Sequence, residues 1–301
     1  MPEVIEIRKY ADFLKKHLKN KKILEINILK GRYKTHKPFE LYYGIIKKLP
    51  LTVIDIKTKG KFLYFILGND EITYYIFSTL GLHGGWVYSK DNVDFQFNDM
   101  LDYIPKEKLF GYYKTALNNL NVSFVSENGS MYYFDSLSFG TIKVIDDVEI
   151  LNKKLDSIGS DLMDTTKECF VEKYRLKKLE NKAIGLVLLN QKIISGVGNY
   201  LRADVLWVSK ISPFRKIKDI TDAELETIFY NLQALTWGDY DIDKGIKLGY
   251  ITKQSMIPSR HNVDFFVYNR DKDIYNNDVS KDELYEGSMK RFIYWVKNIQ
   301  K

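Results

Sequence analysis

The sequence predicts an α+β protein: an N-terminal helix, a run of antiparallel strands, a helical segment and a terminal hairpin. Two changes of texture predict it, from strand-like to helical spacing near Leu151 and back again near His261. The helix comes first. Ile7, Tyr10, Ala11, Leu14 and Leu18 recur at three- and four-residue steps between Lys and Arg, which fits one amphipathic helix over Ile5 to Leu18. From Ile23 to Phe139 short Ile/Leu/Val/Tyr/Phe runs alternate with Gly, Asn and Asp, as in Phe62-Leu63-Tyr64-Phe65-Ile66 before Gly68-Asn69-Asp70. Many short strands of this kind make a sandwich or a barrel. Cys169 to Lys178, Leu186 to Gln191, Tyr200 to Lys210 and Asp222 to Leu235 return to helical spacing, and Thr221 with Glu224 spells a capping box before the last of them. Phe265-Phe266-Val267-Tyr268 and Phe292-Ile293-Tyr294-Trp295-Val296 then read as the paired strands of a hairpin. The expected domains are 1–150, 151–260 and 261–301, with the linker around Asp146 to Asp164.

Composition narrows the class. Hydrophobic residues make up 45% and charged residues 28% of 301, the balance of a folded globular protein. Lys+Arg (46) exceeds Asp+Glu (39), giving a formal charge of +7, which favours a polyanionic partner without naming it. A lone cysteine, Cys169, excludes a disulfide framework and zinc sites built on cysteine pairs. His17, His36, His83 and His261 never fall at a paired ligand spacing, so neither metal nor cofactor is expected. The first residues lack the uninterrupted apolar stretch of a signal peptide or membrane helix. A monomer in the cytoplasm or nucleus, away from membranes, is the default expectation.

The segment Gln191-Lys192-Ile193-Ile194-Ser195-Gly196-Val197-Gly198-Asn199-Tyr200-Leu201-Arg202-Ala203 sets two glycines and an asparagine between helices. Alone it reads as a helix end and a turn. Glycines also let backbone approach a ligand closely, and amides at a helix start attract phosphate. The segment closely resembles the helix-two-turn-helix signature of the formamidopyrimidine-DNA glycosylase and endonuclease VIII family of DNA repair enzymes. That resemblance implies phosphate contacts for Asn199 and for the amides near Gly196 and Gly198. The chain start supports it: Pro2, Glu3 and Glu6 match the family's opening, with Ile5 where members commonly carry proline. Ile7-Arg8 and Ala11-Asp12 look like endonuclease VIII, and the absence of a clear lysine near Gly185 tilts the same way.

A terminal proline is a chemically sensible nucleophile, because an α-amine titrates far below a lysine amine and is partly neutral at pH 7. The resemblance therefore implies that Pro2, freed of Met1, attacks the sugar C1′, with Glu3 moving protons at the sugar or departing base and Glu6 a supporting acid on the DNA-binding side. Lys61, in Thr58-Lys59-Gly60-Lys61-Phe62, matches the lysine that reaches the lesion phosphate. Leu82 falls at the place of a residue that fills the hole left by base extrusion. Leu137 and Phe139 match a second such loop, normally arginine then phenylalanine, so Leu137 departs and opposite-base preference is open.

Val267-Tyr268-Asn269-Arg270 resembles the lead-in to the family's zinc finger, and Arg291 to Gln300 its exit, but the four cysteine places hold Tyr275, Asp278, Val296 and Ile299. The resemblance then implies a zincless hairpin finger, held by packing of Tyr294, Trp295 and Val296, with Arg270 and Arg291 on DNA. For the whole chain it implies an N-terminal helix with an antiparallel β-sandwich, a helix-two-turn-helix domain and that finger. The implied activity is a bifunctional glycosylase and abasic-site lyase acting on double-stranded DNA with a damaged base or abasic site. The alternative is a non-catalytic damaged-DNA-binding protein of the same fold, which Ile5 and Leu137 would suit. Ribosomal or topoisomerase helix-two-turn-helix proteins would share neither the Pro-Glu start nor the terminal arginine hairpin.

Overall fold

The computed structural model describes residues 2–91, 93–97, 106–252 and 265–301. The chain forms two units, one of residues 6–157 with the first two residues and one of residues 158–301 with Glu3, Val4 and Ile5.

In the first unit the elements are α1 (Val4–Leu18), β1 (Lys22–Ile28), the short helices α2 (Arg32–Thr35) and α3 (Tyr42–Ile46), β2 (Leu51–Lys59), β3 (Phe62–Gly68), β4 (Thr73–Thr79), β5 (Gly84–Ser89), β6 (Phe95–Phe97), α4 (Lys106–Asn118), β7 (Leu120–Ser126), β8 (Gly129–Asp135), β9 (Thr141–Ile145) and α5 (Val148–Asp156). The stripe read from the sequence is the buried face of α1: Ile7, Tyr10, Ala11, Leu14 and Leu18 are each at most 3% exposed. Burying each large aliphatic contributes about 1.5–3 kcal/mol, which fixes the helix on this core far better than propensity would.

Nine strands form one ladder in the order β6-β5-β8-β7-β1-β2-β3-β4-β9, each described pair antiparallel. Although β3 and β5 stand far apart in that order, Phe65 and Trp86 meet with ring centroids 5.2 Å apart. The Trp86 indole likewise donates to Ser78 of β4 at 3.3 Å. The ladder therefore folds over so that its halves face each other, and the sandwich is made of a single continuous sheet. One expectation is corrected: the 23–139 stretch is not all strand and turn, because α4 interrupts it. Ala116 and Tyr112 of α4 pack on β8 and its neighbours around Phe134, so half-exposed aromatics that read as strand are placed by a helix.

The second unit holds β10 (Ser160–Asp161), α6 (Lys167–Tyr174), α7 (Ile184–Val187), β11 (Ile194–Ser195), α8 (Asn199–Val208), α9 (Asp222–Tyr240), α10 (Ile242–Lys247), β12 (Ser280–Glu286) and β13 (Met289–Trp295). The capping box is present: the Thr221 hydroxyl accepts from the Glu224 amide and the Glu224 carboxylate accepts from Thr221. One core joins α6 to α9 with Val4, Ile5 and the terminal segment through Phe266, Val267, Leu284, Ile293 and Val296. The hairpin is β12 with β13, closed by Glu286 opposite Met289. Phe265 to Tyr268 is not its partner strand. The amides of Phe266, Val267 and Tyr268, which a ladder would have claimed, donate instead to the buried Asp204 carboxylate at 3.2, 3.1 and 3.4 Å. The domain limit expected at His261 lies outside the described residues.

Candidate functional site

In the first unit Lys61 sits on the two-residue turn between β2 and β3, where Lys59 pairs with Phe62. Gly60 takes the first loop place with φ +54°, which a two-residue hairpin turn assigns to glycine. The turn thus presents Lys61 on a short, strand-anchored support.

The two loops expected to fill a vacated base stack are neighbours. A Cβ on Gly81 (φ +62°) would fall 2.6 Å from the Gly140 amide nitrogen, so the Leu80–Gly84 turn lies directly on the loop after β8. Leu82, Leu137 and Phe139 remain 37%, 45% and 62% exposed, a costly arrangement for apolar side chains that have nothing to cover them. Beneath them the backbone is tied down. The buried Asp135 carboxylate accepts from the amides of Leu137 (3.1 Å) and Gly140 (2.7 Å), while the Arg32 guanidinium donates to the Ser138 carbonyl at 3.3 Å and to the Gly140 carbonyl. Tyr133 lies 3.4 Å from Asp135, and burial first, then that carboxylate, push its hydroxyl far up, keeping it a donor.

In the second unit the chain start is fixed on the glycine turn. Glu3 is 2% exposed, and its two oxygens accept from the amides of Gly198 (2.6 Å) and Tyr200 (3.0 Å) at the start of α8. A carboxylate at a helix N-terminus answers both orphan amides and the helix dipole. The Val4 amide donates to the Gly196 carbonyl at 3.1 Å, and a Cβ on Gly196 (φ +114°) would lie 2.8 Å from Val4 Cβ. Gln191 braces the same turn, accepting from the Gly196 amide at 2.9 Å and donating to the Val197 carbonyl at 2.8 Å. Of the amides expected near these glycines to meet phosphate, those of Gly196 and Gly198 themselves are therefore not available for it. Both are spent inside the protein, and the turn's glycines serve the approach of residues 3 and 4. Pro2, half-buried, is the residue bonded to the anchored Glu3, and Glu6 is half-buried on α1.

Around the start of α8 the structure gathers Glu3, Asn199, Arg202 and Arg291. Arg202 is 1% exposed and donates to the carbonyls of Gly185 (2.9 Å) and Phe292 and to Asn199 Oδ1 (3.3 Å). Burial pushes it down to about 10; Glu3 works against that fall and Arg291 adds to it. It stays a cation at neutral pH. Arg291 is exposed on β13 opposite Leu284, two residues from the hairpin's closing pair. Arg270 directs two N–H groups to backbone, at Lys272 (3.0 Å) and Phe265 (3.2 Å), which shapes the approach to the hairpin.

The finger's organiser was missed by sequence reasoning. Asp273, 3% exposed, accepts from the amides of Tyr275 (2.9 Å) and Asn277 (2.8 Å), from the Asn277 side chain and from the Trp207 indole at 3.1 Å. Of the four residues that the resemblance sets at the cysteine places, Tyr275 stacks on Trp207, Asp278 pairs with Lys272, Val296 is buried and Ile299 packs at the core edge. These side chains do not fit a thiolate zinc site. Arg202 and Asp204 share one sequence signal, a charged residue within the apolar run of α8, which on a buried helix face demands a partner; Asp273, in a polar loop, carries no such signal.

This arrangement, a β-sandwich with apolar loops and a unit whose helix-turn-helix holds the chain start, defines the class of DNA glycosylases that carry a helix-two-turn-helix. Residues 1–142 match the family model described as formamidopyrimidine-DNA glycosylase N-terminal domain, and residues 158–249 match the formamidopyrimidine-DNA glycosylase H2TH domain. The chain belongs to the formamidopyrimidine-DNA glycosylase and endonuclease VIII family. Relatives carry both names. It is 28% identical over 246 residues to the formamidopyrimidine-DNA glycosylase of Ureaplasma parvum, covering 78% of this chain and 77% of the relative. It is 23% identical over 286 residues to endonuclease 8 of Escherichia coli, covering 91% and 90%. Its fold is similar to that of Lactococcus lactis Fpg solved in complex with abasic-site DNA, with a TM-score of 0.70, 21% identity and 99% of each chain covered.

Proposed function

We propose that this protein excises oxidised bases from double-stranded DNA and then cuts the strand, using Pro2 as the nucleophile once Met1 is removed. The observation that carries the reading is the pair of hydrogen bonds that hold Glu3 on the Gly198 and Tyr200 amides, because they fix the residue next to Pro2 on the DNA-binding motif of the family. The relatives named as formamidopyrimidine-DNA glycosylases and endonuclease 8 support the same activity.

The Pro2 nitrogen gives its lone pair to the sugar C1′, the C1′–N bond breaks, and its electron pair leaves with the base, which takes up a proton. Opening of the ring oxygen bond leaves a cationic imine. Its positive charge acidifies the neighbouring C2′ hydrogen, whose loss expels the 3′ phosphate, and a second elimination expels the 5′ phosphate. Glu3, with each carboxylate oxygen accepting one amide, is the proposed group for proton transfer at the sugar or the departing base. Lys61, Asn199, Arg270 and Arg291 are the proposed phosphate contacts, and Leu82, Leu137 and Phe139 the wedge. Leu137 carries no hydrogen-bonding group to read the orphaned base.

Borohydride added during reaction with an abasic-site duplex should trap a covalent adduct at Pro2. A protein that retains Met1 should form none. An adduct in that protein would remove Pro2 from the mechanism, and an unaltered protein that binds the duplex without adduct or nick would be a damage-binding protein instead.

A further inference from the structure

We propose that Arg202 is a positioning residue that sets two DNA contacts at once, aiming the Asn199 amide outward as a donor and fixing the backbone next to Arg291. The inference rests on the DNA-binding reading above and adds a buried residue to it. An arginine wholly inside a protein is expensive unless its donors are used. Here Nη1 and Nη2 are used on three separate elements, the Gly185 carbonyl of α7, Asn199 Oδ1 on its own helix α8 and the Phe292 carbonyl of β13, while Nε is buried without a partner. A lysine would offer its donors from a single nitrogen, whereas the planar fork spreads them over separate nitrogens that reach separate elements.

The chemistry of the amide makes the Asn199 contact directional. Its side chain has one accepting and one donating end, whereas a guanidinium only donates and a phosphate oxygen only accepts. Arg202 therefore captures Oδ1, and Nδ2 is left turned away from it, the end that a phosphate needs. On the other side, the Phe292 carbonyl belongs to the residue immediately after Arg291, so the same Nη2 atom ties the base of the Arg291 side chain to the helix that carries Asn199. Two phosphate contacts from distant parts of the sequence are thereby held at a constant spacing. Arg202 itself is too buried to touch DNA.

The test is a set of dissociation constants for a duplex containing a tetrahydrofuran abasic analogue, measured across a salt series. The proteins are the unaltered one, Arg202→Met, Asn199→Ala, Arg291→Ala and the doubles with Arg202→Met. Loss of a hydrogen bond to a charged group corresponds to roughly tenfold or more in affinity, so Asn199→Ala and Arg291→Ala should each bind about tenfold more weakly, and Arg202→Met, which disturbs both contacts, at least as weakly as either. Each double should bind no more weakly than its worse single, because both changes remove the same contact. The slope of log K against log[salt] should fall by about one in Arg291→Ala and also in Arg202→Met. Wild-type affinity in Arg202→Met, or multiplied effects in the doubles, would overturn the proposal. Should Arg202→Met fail to fold, Asn199→Asp decides: it keeps the acceptor for Arg202 and loses the outward donor, so it must weaken binding, and unchanged affinity would overturn the proposal. If the unaltered protein binds and is trapped by borohydride, any of these failures concerns Arg202 alone; if it does not bind, the DNA reading falls and takes this inference with it.

Discussion

At the scale of single residues, the pH behaviour of a charge in the second unit follows from its hydrogen-bond partners. Glu224 illustrates the sign. The Arg215 guanidinium donates to both its oxygens, at 2.6 and 2.9 Å, and that hydrogen bonding, against a smaller burial effect and with help from Thr221, holds its carboxyl down to about 2 from the usual 4.5. A carboxylate depressed in the folded state contributes stability that is fully present above its unfolded value and is lost as pH falls through the folded one. The window is therefore about pH 4.5 down to about 2. Glu224→Gln should lower the melting temperature at pH 7 and flatten the acid limb of the melting curve within that window. An acid limb parallel to that of the unaltered protein would mean that the Arg215 pair carries no linkage.

At the scale of elements, what was legible in the sequence was whatever periodicity or a short motif encodes. The buried stripe of α1 and the capping box of α9 stand where three- and four-residue steps and Thr221-Glu224 put them. The missed α4 and the false strand at Phe265 to Tyr268 have a common cause: runs of aromatic and aliphatic residues satisfy strand and helix alike until a distant partner decides. For α4 the partner is the aromatic cluster around Phe134, and for Phe266 and Val267 it is Asp204, 62 and 63 residues earlier. The same holds at the site. Motif spacing picked out the chain start and the glycine turn, yet it could not show that Glu3 consumes the amides of that turn, since only the fold brings residues 3 and 198 together. The finger makes a further element-scale prediction. Asp273 gathers two amides, an asparagine side chain and an indole, so protein donors organise this segment and chelators should leave the melting temperature unchanged. Asp273→Ala strands several buried donors and should cost about 3 kcal/mol, read by urea or thermal unfolding. A chelator-sensitive melting point, or a neutral Asp273→Ala, would show that something else holds the finger.

At the scale of the whole molecule, the charge excess of +7 is a weak guide to affinity because many of the cations are already occupied. Lys143 pairs with Glu40, Lys182 with Glu286, Lys290 with Glu283 and Lys297 with Asp282, all at the surface, and such pairs add little stability while lowering the local field. Salt dependence counts something different, the phosphates that are neutralised in the complex, through the counterions they release. Lys61 on its turn and Arg291 on its strand are two proposed cationic contacts, and Arg270 keeps N–H groups beyond the two that hold backbone. If about four phosphates are neutralised in all, log K should fall against log[salt] with a slope near −3.6, a loss of roughly 150-fold between about 50 and 200 mM salt. Lys61→Ala should lower that slope by about one on damaged and undamaged duplexes alike, since an ammonium on a phosphate reads no base. Fluorescence anisotropy over the salt series measures both. A flat dependence would show that the excess cations of this chain are not gathered on DNA, and an effect of Lys61→Ala confined to damaged duplexes would place that lysine on the lesion instead of on the backbone.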